Sequence, residues 1–465
     1  MAEQEKDIVG QHIVRYGIAA DQKYLVGSLL NTYDELVING RMVAHMAAGL
    51  ALFLGQRALG KRYLIDPETH AFQHGIEYLQ SGSAHDEGND QLESTTTSSE
   101  VRLKKSIEKM IVAYGDPIAR VVGDKKSILP QDFSDPGERR DFCQRVLQFQ
   151  MNAIAGKAEE GEDAEYYEFL QEKGILRNSR FSPSLLIAPY FCMDGNTFDD
   201  WIGANISCAQ DSIAVSRELN IPLGVQIVIS QSVLSDDGQR NRIVKEYGQL
   251  APTTFLLWID SFSEHEVSAG LLEAFVEMSQ GLKEGGSRII SLYGSYFSIM
   301  LCHIGILDGV THGLEYGEER AFVPVGGGIP TAKFYLPALH MRLRPEDAIR
   351  AVRALGGFES VDAFLNSVCD CDRCRSVITT NPKEEFGRYL RMKRVNTRNV
   401  PYPETKDNSV THYMLCKGRE FAASPGIGEI ADALRVSGEK LRRYVGAENT
   451  DHCKKWADVA LRFAT

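Results

Sequence analysis

The sequence lacks the features that mark membrane and secreted proteins. Its most apolar run, Met46 to Gly55, is far shorter than the roughly 20 residues that a membrane-spanning helix needs. Residues 1–10 do not have the basic start and apolar stretch of a secretory signal. The nine cysteines are odd in number, and three are crowded together, unlike a secreted disulfide framework. We therefore expect a cytoplasmic location, reduced cysteines and no membrane contact.

Excess positive charge is also missing, since the formal net charge of the 465 residues is −12. This balance argues against a broad phosphate-binding surface, because non-specific affinity for nucleic acid comes mainly from Lys and Arg contacts. It leaves room for local basic grooves, for which the alternative in each case is a solvated helix face. The candidate patches are Arg388, Arg391, Lys393, Arg394 and Arg398, and then Lys440, Arg442 and Arg443.

A cysteine cluster is the most specific feature that is present. Cys369, Cys371 and Cys374 lie within six residues, so that a turn can direct their side chains at one cation. Thiolates at about 2.3 Å with one further ligand give the closed tetrahedral site that Zn²⁺ prefers. His412 is the predicted fourth ligand and Cys416 is its competitor. Four protein ligands predict a structural zinc, and the alternative is three unrelated cysteines in a reduced protein.

Apolar strands alternate with amphipathic helices in the second half of the chain, which predicts an α/β fold with a parallel sheet. Together with an earlier strand at 62–66, this run suits a (β/α)₈ TIM-type barrel better than an open sheet. The later predicted strands are 185–191, 224–230, 255–260, 288–294 and 309–317.

The remaining chain is predicted to be mostly helical. Residues 27–37 and 42–54 have helix-like apolar spacing, and a polar stretch at 81–100 predicts a loop. A helical insertion, at 101–174, follows the loop. Four regions result: 1–80, the N-terminal part of the barrel; 81–183, the loop and insertion; 184–345, the remainder of the barrel; and 346–465, the zinc-binding and C-terminal helical region.

Several predicted strands end in polar or acidic side chains. In a parallel barrel the carboxyl ends of all strands meet at one mouth, where enzymes of this fold place their chemistry. Any one of these side chains taken alone also suits a cap or turn, and for Asp66 the Asp-Pro sequence favours that alternative. The strand-end group consists of Asp66, Asp194, Gln231, Asp260 and Glu318.

Through the Cys-x-Cys-x-x-Cys cluster and His412, the chain resembles the tRNA-guanine transglycosylase superfamily. The spacing to His412 is longer than in that family, which implies additional residues near 395–408. Leu64-Ile65-Asp66 followed by Phe72-Gln73 is similar to the family's strand-end segment. The resemblance implies a zinc-containing barrel that exchanges guanine in nucleic acid for a 7-deazaguanine such as preQ0, with DNA or tRNA as the substrate.

The resemblance also implies roles for individual residues. Asp66 is expected as the acid/base group, and Glu318 as the nucleophile in place of the family's Asp. Asp260 is the alternative nucleophile if Glu318 faces the helices. Asp194 and either Gln226 or Gln231 are expected to read the base, and Phe72 belongs to the matching strand-end segment. Three aromatic residues are candidates for stacking on the base: Tyr316, Tyr190 and Phe191.

Two other functions compete with base exchange. The first is a catalytically silent relative that binds nucleic acid or an active partner subunit, which the missing family Asp favours. The second is an unrelated barrel enzyme whose cysteines hold a catalytic metal. The chain is also compatible with a homodimer.

Overall fold

The computed structural model describes residues 10–81, 102–159, 172–173, 182–314, 317–323, 331–395 and 398–464. Most of the predicted polar loop therefore lies outside the described residues. Among the described helices, none combines the length and the hydrophobicity that crossing a membrane requires.

Eight parallel strands form a nearly closed barrel, which confirms the predicted α/β architecture. The strands lie in the order β3-β2-β1-β8-β7-β6-β5-β4. The ring closes between β3 and β4, where the N–H of Ser184 donates to the carbonyl of Tyr63 at 2.8 Å. The strands are β1 Gln11–Tyr16, β2 Glu35–Asn39, β3 Arg62–Asp66, β4 Leu186–Ile187, β5 Leu223–Ile229, β6 Thr254–Ile259, β7 Arg288–Ser291 and β8 Gly309–His312.

Alternate side chains of the strands fill two separate cores, because successive residues of a strand point to opposite faces. Val37, Leu64 and Val228 belong to the core inside the barrel. Ile38 and Ile65, one residue further along, pack against the surrounding helices. Because both faces of the strands are buried, they read as continuous apolar runs in the sequence.

The N-terminal prediction was partly wrong. Residues 27–37 were expected to be one helix, but Gly27–Thr32 forms a 3₁₀ helix and Glu35–Asn39 forms β2. The Leu-Val-Ile run of β2 is buried between β1 and β3, where burial on both faces selects a strand over a helix. The expected helix at 42–54 is present as α1, Gly40–Leu52.

The predicted helical insertion between β3 and β4 is present in its described part. It contains α2 Lys105–Tyr114, α3 Ile118–Gly123 and α4 Pro136–Glu159, and α4 packs against α1. The helices that alternate with the later strands are α5 Phe198–Leu219, α6 Gln231–Ser235, α7 Asp237–Gly248, α8 Ala269–Lys283 and α9 Tyr296–His303.

The chain after the barrel forms a helical region with two small hairpins. One hairpin pairs β9, Phe334–Leu336, with β10, Met341–Leu343, and the other pairs β11, Met392–Val395, with β12, Arg398–Pro401. Of the additional residues inferred near 395–408, those that the structure describes form part of the second hairpin and the start of the helix that follows. The helices are α10 Pro345–Ala354, α11 Val361–Ser367, α12 Asp372–Val377, α13 Pro382–Glu385, α14 Pro403–Ala422, α15 Ile427–Val445 and α16 Asp451–Phe463.

Candidate functional site at the barrel mouth and the adjoining metal centre

Asp66 ends β3 and is completely buried at the carboxyl-end mouth of the barrel. The guanidinium of Arg15, on β1, which β2 separates from β3, donates to Asp66 Oδ2 at 3.2 and 3.3 Å. The hydroxyl of Tyr190 donates to Oδ1 at 2.6 Å, and His70 Nδ1 lies 3.0 Å from that hydroxyl. These hydrogen bonds hold the buried Asp66 side chain in one orientation.

Glu68 is a second buried carboxylate at the mouth, and sequence reasoning did not select it. Burial acts to raise the pKa of Glu68, but Arg41 and Arg320 outweigh it and hold the pKa below its ordinary value. The Arg41 guanidinium lies 3.0 Å from Glu68 Oε1, and Arg320 lies 3.5 Å from the same atom. The signal that could have identified Glu68 in the sequence is its position, two residues after Asp66 at the end of a predicted strand.

Three of the predicted strand-end carboxylates, Asp66, Asp194 and Asp260, lie near enough to the thiol of Cys192 for their charges to act on it. Burial is the main cause that raises the pKa of Cys192, and the charges of Asp260, Asp194 and Asp66 raise it further. The Cys192 backbone is fixed in turn by Gln73, whose amide accepts its N–H at 2.6 Å and donates to its carbonyl at 3.1 Å. The structure therefore brings these three carboxylates to the same mouth, as the strand-end pattern predicts.

Asp260 and Asp194 differ from Asp66 in their partners. Asp260 Oδ1 accepts the N–H of Phe322 at 2.8 Å, and no Lys or Arg among the described residues forms an ion pair with this carboxylate. Asp194 Oδ1 accepts the N–H groups of Asn196 and Thr197 at 2.8 and 3.2 Å, in the turn before α5. Neither Asp260 nor Asp194 has an ion-pair partner among the described residues and both are half-buried, but only Asp260 directly follows its strand, β6.

Glu318 contacts a different set of residues, on the side of the barrel that α14 covers. The hydroxyl of Tyr413 donates to Glu318 Oε1 at 3.0 Å, and Lys417 Nζ lies 3.5 Å from that oxygen. Burial acts to raise the pKa of Glu318, but Lys417 and Arg342 outweigh it and hold the pKa at about 2. The partners of Glu318, Tyr413 and Lys417, are not those of Asp66, so the two carboxylates that were expected to act together have different surroundings.

Lys417 joins Glu318 to a second buried carboxylate. Its Nζ lies 3.2 Å from Glu420 Oε2, and its side chain is only 1% exposed. His340 Nδ1 lies 2.7 Å from Glu420 Oε1, and the pKa of Glu420 is held at about 2 because Lys417 and His340 outweigh the effect of burial. This cluster of Glu318, Lys417 and Glu420 fixes α14 against the barrel.

The remaining predicted base-binding side chains are in less suitable positions, except one. Phe72 is completely buried and meets Tyr114 edge to face in the core beside the insertion. The Gln231 amide donates to the carbonyls of Asp260 and Ser261 at 3.3 and 2.8 Å. Tyr316 lies outside the described residues.

Gln226 is the exception. It lies two residues before Val228 on β5, so the two side chains point to the same face of the strand. Val228 belongs to the core inside the barrel, and Gln226 is only 2% exposed. Neither atom of its amide has a hydrogen-bond partner among the described residues, and the same is true of the buried Thr311 hydroxyl on β8. A buried amide without a partner carries a cost of about 1–3 kcal/mol, so such a group favours a polar ligand or an ordered water.

The mouth is covered by residues 317–323. The carbonyl of Arg320 accepts the indole N–H of Trp258 at 2.9 Å and the N–H of Ser261 at 2.9 Å. The Arg320 guanidinium donates to the Tyr293 hydroxyl at 2.6 Å and lies 5.2 Å from the ring centre of Trp258. A ligand that enters from the carboxyl-end side must therefore displace this segment.

The cysteine cluster forms a buried group of candidate metal ligands behind β9. The donor atoms of Cys369, Cys371, His412 and Cys416 all lie within 4.8 Å of one another. The distance from Cys371 Sγ to His412 Nδ1 is 3.3 Å, and that from Cys369 Sγ to Cys416 Sγ is 3.7 Å. These separations match the edges of a tetrahedron of ligands around a metal ion with bonds of about 2.0–2.3 Å.

His412 is oriented for ligation by its other ring nitrogen. Its Nε2 lies 2.7 Å from the carbonyl of Tyr335, which fixes the proton there and leaves Nδ1 as the ligand atom. Cys374 Sγ is 3.4 Å from the same Nδ1, so five donors surround the four positions of a tetrahedral site. The structure therefore supports the predicted metal site and adds Cys416, the alternative that the sequence left open, to its candidate ligands.

The chain matches no known protein-family model, and a search of curated proteins finds no match either.

Proposed function

We propose that this chain exchanges guanine in nucleic acid for a 7-deazaguanine base, acting as a transglycosylase of the tRNA- or DNA-modifying kind. The observation that supports this most is that Asp66, Asp194 and Asp260 all lie at the carboxyl ends of strands or bridges of one parallel barrel. Base exchange requires a carboxylate at the sugar carbon and a second group that moves a proton on the base. The mouth offers both.

In this proposal Asp260 takes the role that the resemblance first gave to Glu318. One of its oxygens attacks C1′ of the sugar, the glycosidic bond breaks, and guanine leaves after it gains a proton. The ring nitrogen of the incoming base then attacks C1′ and loses its proton while the Asp260–C1′ bond breaks. Glu318 is less suited to this step because Lys417 and Tyr413 hold it toward α14.

Asp66 and Gln226 serve the base in this mechanism. The chain of contacts from His70 through the Tyr190 hydroxyl to Asp66 provides a route for a proton at the mouth. The partnerless amide of Gln226 is suited to the polar edge of a purine that enters the barrel. The cysteine–histidine centre has enough protein ligands to close a Zn²⁺ site, so we assign the metal a structural role.

A silent binding subunit is the second candidate, and the filled mouth favours it. In the proposed exchange, a base that enters at the mouth has to displace the contacts of Arg320 with Trp258 and Tyr293. A silent subunit would keep this arrangement permanently, would form no covalent adduct with nucleic acid, and would copurify with an active partner.

Incorporation of labelled guanine or preQ0 into DNA and into tRNA tests the proposal. Asp260→Asn should lower the rate by about 10³-fold or more, whereas Glu318→Gln should have a much smaller effect. Asp200→Asn, an exposed acid at the start of α5, is the matched control for the loss of one charge. An Asp260→Asn variant that exchanges at the wild-type rate would remove Asp260 from the mechanism, and a wild-type chain inactive on both substrates would favour the silent subunit.

A further inference from the structure

The Arg320 guanidinium is held at the barrel mouth by one carboxylate and two aromatic rings. Its Nη2 lies 3.5 Å from Glu68 Oε1, and its Nη1 donates to the Tyr293 hydroxyl at 2.6 Å. The guanidinium carbon lies 5.2 Å from the ring centre of Trp258 and 5.6 Å from that of Tyr293, within the range of cation–π contacts. Glu68, Trp258 and Tyr293, which we call the Arg320 subsite, thus hold a flat group through two of its N–H donors.

Arg41 is the closer ion-pair partner of Glu68, and Arg320 is an additional one. Arg41 Nη2 donates to Glu68 Oε1 at 3.0 Å, and its backbone N–H and Nε donate to Oε2 at 3.0 and 3.3 Å. An ionised carboxylate has about four acceptor positions, so Arg41 fills most of them. Arg320 contacts Oε1 at the longest of these distances. The contact of Glu68 with Arg320 is therefore the one that a ligand with an N–H donor can replace.

The backbone at Glu68 adopts a conformation that is rare for a residue with a side chain. Its φ is 50°, in the left-handed region, and its N–H donates to Asp66 Oδ1 at 3.1 Å. Backbone strain of this kind concentrates at active sites and ligand clamps, where the surrounding structure maintains it. Here it accompanies a carboxylate that is completely buried and contacts Arg320 at the mouth.

Arg320 is the member of this pair that can leave. Its side chain is 25% exposed, whereas that of Glu68 is 0% exposed. The segment that carries Arg320 also covers Asp260, because the N–H of Phe322 donates to Asp260 Oδ1 at 2.8 Å. Withdrawal of the Arg320 side chain would open the subsite, and withdrawal of the segment would in addition release the proposed nucleophile.

The edge of guanine that carries the ring N–H and the exocyclic amino group is a cyclic guanidine. It is flat and presents two adjacent N–H donors, as an arginine guanidinium does. A 7-deazaguanine keeps this edge, because its nitrogen is replaced by carbon in the five-membered ring. Enzymes that bind an extruded base combine hydrogen bonds to this edge with stacking on aromatic rings. The base is neutral, and Arg41 remains to balance the charge of Glu68 when Arg320 leaves.

We propose that Arg320 occupies the subsite for the guanidine-like edge of the base, that Glu68 Oε1 is the acceptor which reads this edge, and that Arg320 is a built-in competitor of the base. The identity of the base rests on the proposed exchange. The affinity of the subsite for a guanidine group is measurable without it.

Titration with methylguanidinium and with preQ0, by isothermal calorimetry, tests this assignment. Arg320→Ala should gain saturable binding of methylguanidinium that the wild-type chain lacks. It should also bind preQ0 about tenfold more tightly or better, since a competitor that fills the subsite about 90% of the time lowers the apparent affinity tenfold. Glu68→Gln, added to Arg320→Ala, should abolish the binding of methylguanidinium and weaken that of preQ0 about tenfold.

Two further variants complete the experiment. Arg353→Ala, at an exposed arginine of α10, is the control for the loss of one guanidinium and should match the wild type in both titrations. Arg320→Met keeps an apolar stem over Trp258 but removes the guanidinium. It takes the place of Arg320→Ala if that variant does not fold, and the same gains are expected.

The outcomes separate this inference from the proposed function. A folded Arg320 variant that binds no methylguanidinium overturns the subsite, and base exchange retained by the wild-type chain then leaves the proposed function standing. Binding that persists after Glu68→Gln overturns the role of Glu68. Equal affinity of wild type and Arg320→Ala for preQ0 overturns Arg320 as a competitor. Binding of methylguanidinium without any binding of preQ0 overturns the base as the ligand, and the proposed function loses its support at the same time.

Discussion

Lys417→Met is the substitution whose effect the structure defines most closely. Methionine keeps most of the side-chain volume but removes the charge that lies 3.5 Å from Glu318 and 3.2 Å from Glu420. Loss of one partner from a buried ion pair costs about 3–5 kcal/mol when the remaining charge is left without compensation. Arg342 still acts on Glu318 and His340 on Glu420 in this variant, so we expect the lower end of that range, about 3 kcal/mol. We expect urea unfolding at pH 7, followed by tryptophan fluorescence, to show a loss of this size. Lys440→Met, on the exposed face of α15, should show no comparable loss.

The pH dependence of this loss gives a sharper test. The pKa values of Glu318 and Glu420 are held at about 2, below their ordinary value of 4.5. Their contribution is therefore complete above about pH 4.5 and is lost as the pH falls toward 2. Between pH 7 and pH 3.5 the wild-type chain should lose about 1.4 kcal/mol from each carboxylate.

The variant should lose less on acidification, because its two carboxylates are already difficult to ionise. The difference in unfolding free energy between wild type and Lys417→Met should therefore narrow by up to about 3 kcal/mol at pH 3.5. Glu318→Gln and Glu420→Gln, added to Lys417→Met, should restore part of the stability at pH 7. A variant as stable as wild type at pH 7, or a difference that does not change with pH, would refute the reasoning.

Two further predictions concern the metal centre and the barrel interior. The purified chain should contain one zinc per molecule by elemental analysis. Cys416→Ser should lose the metal and Cys374→Ser should retain it, because Cys416, unlike Cys374, belongs to the group of four donors that all lie within 4.8 Å of one another. Metal retained in Cys416→Ser and lost in Cys374→Ser would instead favour the ligand set that the family resemblance implies. Gln226→Leu should leave the unfolding free energy unchanged or raise it by about 1–2 kcal/mol while base exchange falls, because it removes a buried amide without a partner. A clear loss of stability in this variant would show that the amide has a structural partner.

Local patterns in the sequence were sufficient for the later strands and for the metal cluster. Leu223–Ile229 and Thr254–Ile259 are apolar runs of strand length between amphipathic helices, so their type was readable without tertiary information. The cysteines at 369, 371 and 374 are close in sequence, and a turn of the chain is enough to bring them together. The choice between His412 and Cys416 was not readable, because both lie on the same face of α14, one turn apart.

The sequence could not show toward which neighbours the carboxylate side chains near the barrel mouth point. Glu318 follows the last strand just as the strand-end rule requires, yet Lys417, from a helix about 100 residues later in the chain, draws it to the outer side of the barrel. Glu68 was missed because its importance comes from Arg41 and Arg320, neither of which is adjacent in sequence. The strand β2 was missed because residues 35–39 are too short for their spacing to separate a strand from a helix.

Titration of the purified chain with preQ0 by isothermal calorimetry tests the central claim most directly, since it asks whether the barrel mouth accepts a purine-like base. We predict saturable binding with one site per chain, weakened at least about tenfold in Gln226→Leu, which corresponds to the loss of about 1.4 kcal/mol of hydrogen bonding. An absence of binding to the wild-type chain, or equal affinity in the two proteins, would contradict the account.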